Sequence, residues 1–324
     1  MNRIALIGAG NIGSRHLQAM ARLDMPIEIY VIDSDPISLE MAWNRYSQVA
    51  AKTDQKLFLI DSLSKLPKEI ELAVIATNSD VRASVVKQLI LQTEVKYLIM
   101  EKFLFQRRDD YRDVSGLLNE RGVMAWVNCP RRMWPIYKSI KAQLGEVSQI
   151  ELSVTGSNIG LGCNAIHMVD LFSFLSGETT ITVDAGQLDK EIAESKRAGY
   201  YEFTGRLTGA GERRSRFEVN SYKGIGVPLM IELRSSDYRF RINETSGVIS
   251  IFRKKAEWRE ETASFAPVFQ SELTNVAIEQ ILTKQQCELP SYEESARLHL
   301  QLLEAFMGFL KNEHKWEKSL CPIT

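Results

Sequence analysis

Three glycines near the N-terminus have the spacing of a dinucleotide-binding turn. They lie in the segment Gly8-Ala9-Gly10-Asn11-Ile12-Gly13, which follows a predicted strand and opens a predicted helix. The first glycine would make a tight turn, the second would let the backbone approach a pyrophosphate, and the third would let helix and strand pack closely. The pyrophosphate would then lie at the helix N-terminus, where N–H groups and the helix dipole favour an anion.

An acidic residue stands at the distance that such a turn requires. Asp33 lies twenty residues after Gly13, at the end of a predicted strand. A carboxylate there accepts hydrogen bonds from the ribose hydroxyls of NAD and repels the 2′-phosphate of NADP. Its neighbours Ser34 and Asp35 supply no cation for that phosphate, so NAD(H) is favoured over NADP(H). Two alternatives remain: Asp33 could begin a helix, or the turn could belong to a methyltransferase, although that class usually lacks the third glycine.

Residues 1–126 have the pattern of an α/β domain with a parallel sheet. Short apolar runs alternate with helical patterns, and the runs are almost wholly apolar, as expected for strands that helices cover on both faces. We predict a Rossmann domain that binds NAD. Its predicted strands are residues 3–7, 27–32, 56–60, 72–76, 97–100 and 124–127, and its predicted helices are residues 11–23, 81–91 and 109–121.

Residues 127–324 have a different pattern, which predicts an α+β domain for substrate binding and oligomerisation. Apolar and polar residues alternate along several runs, so each predicted strand has one buried face in a large, mainly antiparallel sheet. The predicted strands are residues 147–155, 200–207, 216–221, 229–233, 238–242 and 248–252, and the predicted helices are residues 136–144, 164–175, 268–283 and 292–311. The few helices cannot cover all of these strands. We therefore expect the exposed face, at residues 229–233 and 238–242, to form a homodimer or homotetramer.

Composition argues against several classes of partner. Forty Lys and Arg residues balance 41 Asp and Glu residues, so no global charge favours a nucleic acid or an anionic membrane. No apolar run approaches the roughly 20 residues of a membrane span. The four cysteines contain no C-x-x-C pair, so the sequence predicts no metal site and thiols in a reducing compartment. We expect a cytoplasmic protein.

An ordered set of motifs runs through the chain. It comprises Gly8 to Gly13 followed by His16, Ala76-Thr77-Asn78, Glu101-Lys102, Asn128 to Pro135 and His167-Met168-Val169-Asp170. The Gly-rich turn alone is shared by many families, whereas the ordered set, followed by a large C-terminal sheet, is more specific. This set resembles the glucose-fructose oxidoreductase, inositol dehydrogenase and MocA (Gfo/Idh/MocA) family.

The resemblance implies oxidation of a sugar or cyclitol hydroxyl, or reduction of the carbonyl, with a nicotinamide dinucleotide. Thr77 and Asn78 would line the nicotinamide side, beside the Glu101-Lys102 pair. His167 would serve as the base that removes the hydroxyl proton, since a histidine pKa near 6.5 suits this role. Lys102 would stabilise the developing alkoxide. Each residue also has a structural alternative, an ion pair with Glu101 for Lys102 and a core position for His167.

The sequence departs from the family at three positions. Phe103 replaces the proline of the Glu-Lys-Pro motif, and Arg82 stands near the place of a family histidine, a change to which the sequence assigns no role. The third departure concerns catalysis. The acidic residue four positions before the family's histidine is Cys163 here, and a neutral thiol cannot orient an imidazole as a carboxylate does. Asn164 is adjacent but points about 100° away around the helix.

Substrate-binding residues are expected near the domain junction. Asn128, Arg131, Arg132 and Tyr137 would lie there, and Cys163, Asn164 and Asp170 of the predicted helix are also expected to bind substrate. Arginines suit a carboxylate or phosphate, which a nucleotide sugar or sugar acid of surface-polysaccharide biosynthesis would bring, but they could equally form ion pairs between domains. Because of Cys163, a catalytically impaired NAD(H)-binding regulator or scaffold is the alternative to an NAD-dependent dehydrogenase acting on CH–OH groups.

Overall fold

A computed structural model describes residues 1–49, 54–145, 149–224 and 226–324. The strands are β1 (Asn2–Ile7), β2 (Ile27–Ile32), β3 (Gln55–Ile60), β4 (Glu69–Ile75), β5 (Glu94–Met100), β6 (Met124–Val127), β7 (Glu151–Ser157), β8 (Ile181–Leu188), β9 (Ala193–Glu194), β10 (Tyr201–Glu202), β11 (Gly205–Gly211), β12 (Arg216–Tyr222), β13 (Met230–Arg234), β14 (Tyr238–Asn243), β15 (Val248–Arg253) and β16 (Glu260–Ser264). The helices are α1 (Asn11–Met20), α2 (Pro36–Tyr46), α3 (Ser79–Gln92), α4 (Arg108–Arg121), α5 (Pro135–Leu144), α6 (Leu161–Ser176), α7 (Thr274–Lys284) and α8 (Tyr292–His314).

The chain forms two compact units. The first comprises Met1–Pro130 and Val268–Ser295, and the second comprises Arg131–Pro267 and Ala296–Thr324. The sequence predicted a single division after residue 126 and did not anticipate that a later segment returns to the first unit. That segment carries α7, which packs against α1.

A six-stranded parallel sheet forms the centre of the first unit, in the order β3-β2-β1-β4-β5-β6. The apolar runs of the sequence explain this sheet, since residues such as Ile4, Leu6 and Val74 are completely buried. The strand order reverses between β1 and β4, and in such sheets a ligand binds outside the carboxyl ends of the strands at this point. The Rossmann-type prediction is confirmed.

The second unit contains an eight-stranded sheet in the order β16-β15-β14-β13-β7-β12-β11-β8. All neighbouring pairs are antiparallel except β7 and β12, which are parallel. α6 packs on one face, where the Phe172 and Phe217 rings lie 5.0 Å apart. The large, mainly antiparallel sheet is therefore confirmed. Residues 147 and 148 of the first predicted strand lie outside the described residues.

The opposite face of this sheet carries paired charges. Glu232 accepts hydrogen bonds from Arg234 at 2.8 Å and from Arg241 at 3.1 Å. Arg206 pairs with Glu218 on the same sheet. This face is therefore polar, with its charges locally compensated.

In the part of the chain that the structure describes, no helix combines the length and the apolar character needed to cross a bilayer.

Candidate functional site

The turn between β1 and α1 is shaped by two glycines that no other residue could replace without strain. Gly8 has φ +93°, and a Cβ there would lie 2.8 Å from the Thr77 nitrogen. A Cβ on Gly13 would lie 1.8 Å from the Gly8 carbonyl oxygen. These two positions keep the turn, the helix and the end of β4 in close contact.

Gly10 has a different role, because a Cβ there would meet nothing within 4 Å. It is the N-cap of α1, has no side chain to cap the helix, and no acidic residue follows in the first turn. Asn11 and Ile12 are exposed in this turn. A ligand can therefore approach the backbone at Gly10, at the positive end of the helix dipole, which fits a pyrophosphate.

Asp33 lies at the end of β2, half-buried beside this turn. Its Oδ2 accepts a hydrogen bond from the Ala9 N–H at 2.7 Å, and its Oδ1 accepts one from the Asp35 N–H at 3.0 Å. Each carboxylate oxygen keeps a second lone pair, so both can still accept from ribose hydroxyls. Helix capping, the alternative for Asp33, is instead performed by Asp35, whose side chain accepts from Ile37 N–H and Ser38 N–H.

Thr77 and Asn78 follow β4, next to β1 at the reversal of strand order. The Thr77 Oγ1 is buried and has no hydrogen-bond partner among the described residues. Asn78 is exposed and precedes α3 without capping it through its side chain. Together with the Gly10 turn and Asp33, these groups fit a nicotinamide dinucleotide along this edge of the sheet.

Glu101 is at the centre of a buried polar network at the end of β5. His16 places Nε2 2.9 Å from Glu101 Oε1 and Nδ1 2.7 Å from Thr274 Oγ1. Asn128 donates to the same Glu101 oxygen and, at 2.9 Å, to Gln270 Oε1. Burial alone would raise the pKa of the Glu101 carboxyl, but the hydrogen bonds from His16 and Asn128 and the charges of His16 and Lys102 lower it overall.

This network has a consequence for His16 and for the predicted site residue Asn128. An ionised carboxylate only accepts hydrogen bonds, so Nε2 of His16 donates to Glu101. The amide of Asn128, predicted to touch substrate, is buried and bonded to Glu101 and Gln270. In the structure, Asn128 therefore joins the end of β6 to the segment Val268–Ser295. The sequence did not show this, because Gln270 is 142 residues from Asn128 and Thr274 is 258 residues from His16 along the chain.

The loop after β5 contains Lys102, which is half-buried. The peptide bond from Lys102 to Phe103 is cis although no proline is present. Arg82 of α3, to which the sequence assigned no role, donates to the carbonyl oxygens of Phe103 and Leu104 and to that of Thr77.

In the second unit, α6 carries four of the predicted site residues. Cys163, Asn164 and His167 are half-buried and Asp170 is buried. Asn164 donates its side-chain N–H to the Ile159 carbonyl at 2.6 Å, so it stabilises the start of the helix.

A carboxylate that the sequence did not indicate lies at the first turn of α6. Glu202 of β10 accepts a hydrogen bond from the Cys163 N–H at 3.3 Å through Oε2. Cβ atoms on Gly160 and Gly162 would lie 3.2 Å and 3.1 Å from the Glu202 carboxylate oxygens. The two glycines therefore leave room for this carboxylate, which also complements the positive end of the α6 dipole.

The two predicted substrate arginines each pair with a carboxylate of their own unit. Arg131 donates to Glu244 through Nε and Nη2, both at 2.8 Å, and the Tyr137 hydroxyl donates to Glu244 at 2.6 Å. Arg132 donates to Asp170 at 2.8 Å. Burial alone would raise the pKa of Glu244, but the charge and hydrogen bonds of Arg131 lower it overall. Burial raises the pKa of Tyr137 well above its ordinary value.

The fold and the turn of the first unit together define an NAD-binding Rossmann domain. Residues 2–129 match the family model GFO_IDH_MocA, described as an oxidoreductase family with an NAD-binding Rossmann fold. Over these residues the chain matches the Gfo/Idh/MocA oxidoreductase family, and the resemblance seen in the sequence is confirmed there. No curated protein matches the chain in sequence.

Several solved structures share the fold over nearly the whole chain. UDP-N-acetylglucosamine 3-dehydrogenase GnnA from Acidithiobacillus ferrooxidans is 16% identical, with a TM-score of 0.69 over 95% of this chain and 99% of that one. An oxidoreductase from Agrobacterium radiobacter, solved with NAD+, L-tartaric acid and magnesium, is 13% identical, with a TM-score of 0.73 over 96% of each chain. A super-repressor mutant of Gal80p from Saccharomyces cerevisiae is 15% identical, with a TM-score of 0.70 over 95% of this chain and 96% of that one.

Proposed function

We propose that the protein is a cytoplasmic, NAD(H)-dependent oxidoreductase acting on a CH–OH group, or the corresponding carbonyl, of a sugar or sugar derivative. The observation that carries the proposal is the turn from Gly8 to Gly13. Its second glycine faces open space, its helix N-terminus is uncapped, and the Asp33 carboxylate lies beside it. Bound NAD(H) would accept or supply the hydride.

Asp33 is the basis for choosing NAD(H) over NADP(H). Its two oxygens are held by backbone N–H groups, so the carboxylate keeps one orientation before any cofactor binds. An ionised carboxylate in that orientation accepts from the ribose hydroxyls and repels a 2′-phosphate.

Lys102 and His167 are the groups to which we assign the chemistry at the substrate oxygen, charge stabilisation by Lys102 and proton transfer by His167. The Glu101 carboxylate lies next to Lys102 in sequence, and its low pKa keeps it charged beside the Lys102 ammonium. An ammonium stabilises negative charge that develops on a substrate oxygen. The imidazole of His167 takes the hydroxyl proton during oxidation and returns it during reduction.

Glu202 supplies an acidic group near the position where Cys163 replaces the acidic residue of the family. The turn that precedes His167 lacks the acidic side chain of the family, yet it has a carboxylate from β10 hydrogen-bonded to its backbone. We propose that Glu202 compensates for that side chain by fixing the first turn of α6 and adding negative charge there.

The substrate proposal is a sugar-type molecule, with nucleotide sugars and sugar acids of surface-polysaccharide biosynthesis tested first. GnnA is named for a UDP-sugar, and the Agrobacterium radiobacter protein was solved with a dicarboxylic acid. Because Arg131 and Arg132 are paired with Glu244 and Asp170, an acidic substrate would have to share or displace these carboxylates. We therefore assign to the two arginines a structural role as partners of Glu244 and Asp170, in preference to direct binding of an anionic substrate.

The cofactor proposal is tested by fluorescence titration of the purified protein with NADH and, in parallel, NADPH. We expect saturable enhancement of NADH fluorescence and weaker binding of NADPH. Equal or tighter binding of NADPH would contradict the assignment of Asp33. Absence of binding by either nucleotide would contradict the oxidoreductase proposal.

A catalytically impaired NAD(H)-binding regulator or scaffold is the second candidate. Two observations favour it: Cys163 in place of an acidic residue, and the shared fold with Gal80p, whose solved variant is called a super-repressor. Nucleotide sugars, sugar acids and cyclitols can be screened for NADH formation at several pH values. Turnover that is lost in Lys102→Ala would eliminate this candidate.

A further inference from the structure

Arg82 joins the ends of two neighbouring strands of the first unit. It lies in the first turn of α3, and its side chain is 2% exposed. Nη1 donates to the Phe103 carbonyl and, at 3.0 Å, to the Leu104 carbonyl, while Nη2 donates to the Thr77 carbonyl. One guanidinium therefore bonds both the loop after β4 and the loop after β5.

The position of this cation is unfavourable without its partners. A positive charge in the first turn of a helix is opposed by the helix dipole, and a buried charge must be compensated by hydrogen bonds. The carbonyl oxygens provide that compensation. The planar fork of a guanidinium can bond two loops at once, which the single ammonium of a lysine does less well.

The other residues around Lys102 are also held in place. Glu101 is bonded to His16 and Asn128, and the Phe105 carbonyl accepts from the Tyr111 hydroxyl at 3.0 Å. These bonds fix the two ends of the Lys102 loop. The bonds from Arg82 fix its middle, at the residues that directly follow Lys102, and connect that middle to Thr77.

We propose that Arg82 is a positioning residue, which sets the place of the Lys102 amine relative to Thr77 at the nicotinamide side of the site. The catalytic meaning of this placement rests on the proposed function. The bridge itself is independent of turnover, since it consists of hydrogen bonds within the chain.

The proposal predicts that loss of the guanidinium loosens the Lys102 loop without global unfolding. In Arg82→Met, we expect amide hydrogens of residues 101–106 to exchange about tenfold faster or more, because local opening becomes easier. We also expect a change in the pH at which acetic anhydride acetylates the Lys102 amine half-maximally. Peptide mass spectrometry measures this Lys102 profile. Arg82→Lys should give an intermediate result in both measurements.

Lys87→Met is the matched control. Lys87 is a cation of the same helix, but its ammonium pairs with Asp113 at 3.0 Å on the surface. This variant should leave the exchange of residues 101–106 and the Lys102 profile unchanged.

The bridge is refuted if both Arg82 variants match Lys87→Met in exchange and in the Lys102 profile. If Arg82→Met does not fold, Arg82→Lys decides: a wild-type Lys102 profile and wild-type exchange would refute the proposal. These measurements use no nucleotide, whereas the proposed function fails on the absence of NADH binding by the wild-type protein. The two failures are therefore distinguishable.

Discussion

The Cys163 N–H donates a hydrogen bond to the carboxylate of Glu202 at 3.3 Å, so an acidic group from β10 lies at the first turn of α6. A new acidic side chain at position 163 would therefore come close to an existing negative charge. This relationship changes what is expected from restoring the residue that the family carries there.

Cys163→Asp is expected to destabilise the protein and to give little gain in rate. Repulsion from Glu202 should lower the melting temperature by about 2–4 °C, since one such contact costs roughly 1 kcal/mol. The double variant Cys163→Asp/Glu202→Gln should regain most of the lost stability. Calorimetry measures the melting temperatures of the single and the double variant. A large gain in the rate of hydride transfer by Cys163→Asp, at an unchanged melting temperature, would contradict the expectation.

Asp33→Ala should weaken NADH binding by about tenfold or more, equal to about 1.4 kcal/mol. It should also reduce the difference in affinity between NADH and NADPH. The reason is loss of both the acceptor for ribose hydroxyls and the charge that repels a 2′-phosphate. Asp35→Ala is the control, because Asp35 is two residues away and caps α2 instead. It should lower the melting temperature and leave the NADH-to-NADPH ratio unchanged. An equal change of that ratio in both variants would count against the role of Asp33.

Gly10→Ala and Gly13→Ala should separate binding from folding. A methyl group on Gly10 meets no protein atom, so stability should change by less than about 1 kcal/mol while NADH binding falls. A methyl group on Gly13 collides with the Gly8 carbonyl, so that variant should lose about 3 kcal/mol or more, or fail to fold. Unfolding in denaturant and NADH titration measure the two effects. A Gly10→Ala protein with normal NADH affinity would contradict the placement of the pyrophosphate.

The network around Glu101 predicts a pH dependence of stability. Its carboxyl has a lowered pKa in the folded protein, so the network stabilises the fold above the unfolded pKa of about 4.3. That contribution is lost as the pH falls through the lower, folded pKa. Glu101→Gln should therefore show a shallower loss of melting temperature between about pH 5 and pH 3 than the wild type. Glu71→Gln, at an exposed ion pair with Lys96, should keep the wild-type slope, and equal slopes for Glu101→Gln and wild type would disprove the prediction.

The exposed face of the eight-stranded sheet, at residues 229–233 and 238–242, predicts a homodimer or homotetramer. Glu232→Arg would remove the partner of Arg234 and Arg241 and add a third cation, so it should give a monomer. Light scattering during gel filtration measures the mass, and Glu28→Lys on the first unit is the control. A wild-type monomer at micromolar concentration would refute the assembly.

The sequence predicted the elements that follow strong local patterns. The parallel strands are apolar runs, and the turn at Gly8 has a fixed spacing, so both could be located without the structure. The sequence did not predict β8, because Asp184, Gly186 and Gln187 interrupt its apolar pattern. It did not predict β16, because every residue of that strand is exposed. These strands lie at the two edges of the sheet, where fewer apolar side chains are needed.

Site residues that depend on contacts distant in sequence could not be predicted. Arg82 binds carbonyl oxygens that carry no side-chain signature, and Glu202 reaches α6 from a two-residue strand. The partners of Arg131 and Arg132 could not be chosen from the sequence either, because an arginine that binds a substrate and one that binds Glu244 have the same local pattern.

The return of Val268–Ser295 to the first unit means that the NAD-binding unit is not one contiguous stretch of gene. A fragment that ends at residue 129, where the family match ends, would lack Thr274 and Gln270 and leave His16 and Asn128 without these bonds. The first unit consists of two separate stretches of the chain, so its exchange between relatives by recombination would need one pair of crossovers for each stretch. The polypeptide passes between the units three times, and inheritance of the first unit is thereby tied to inheritance of the second.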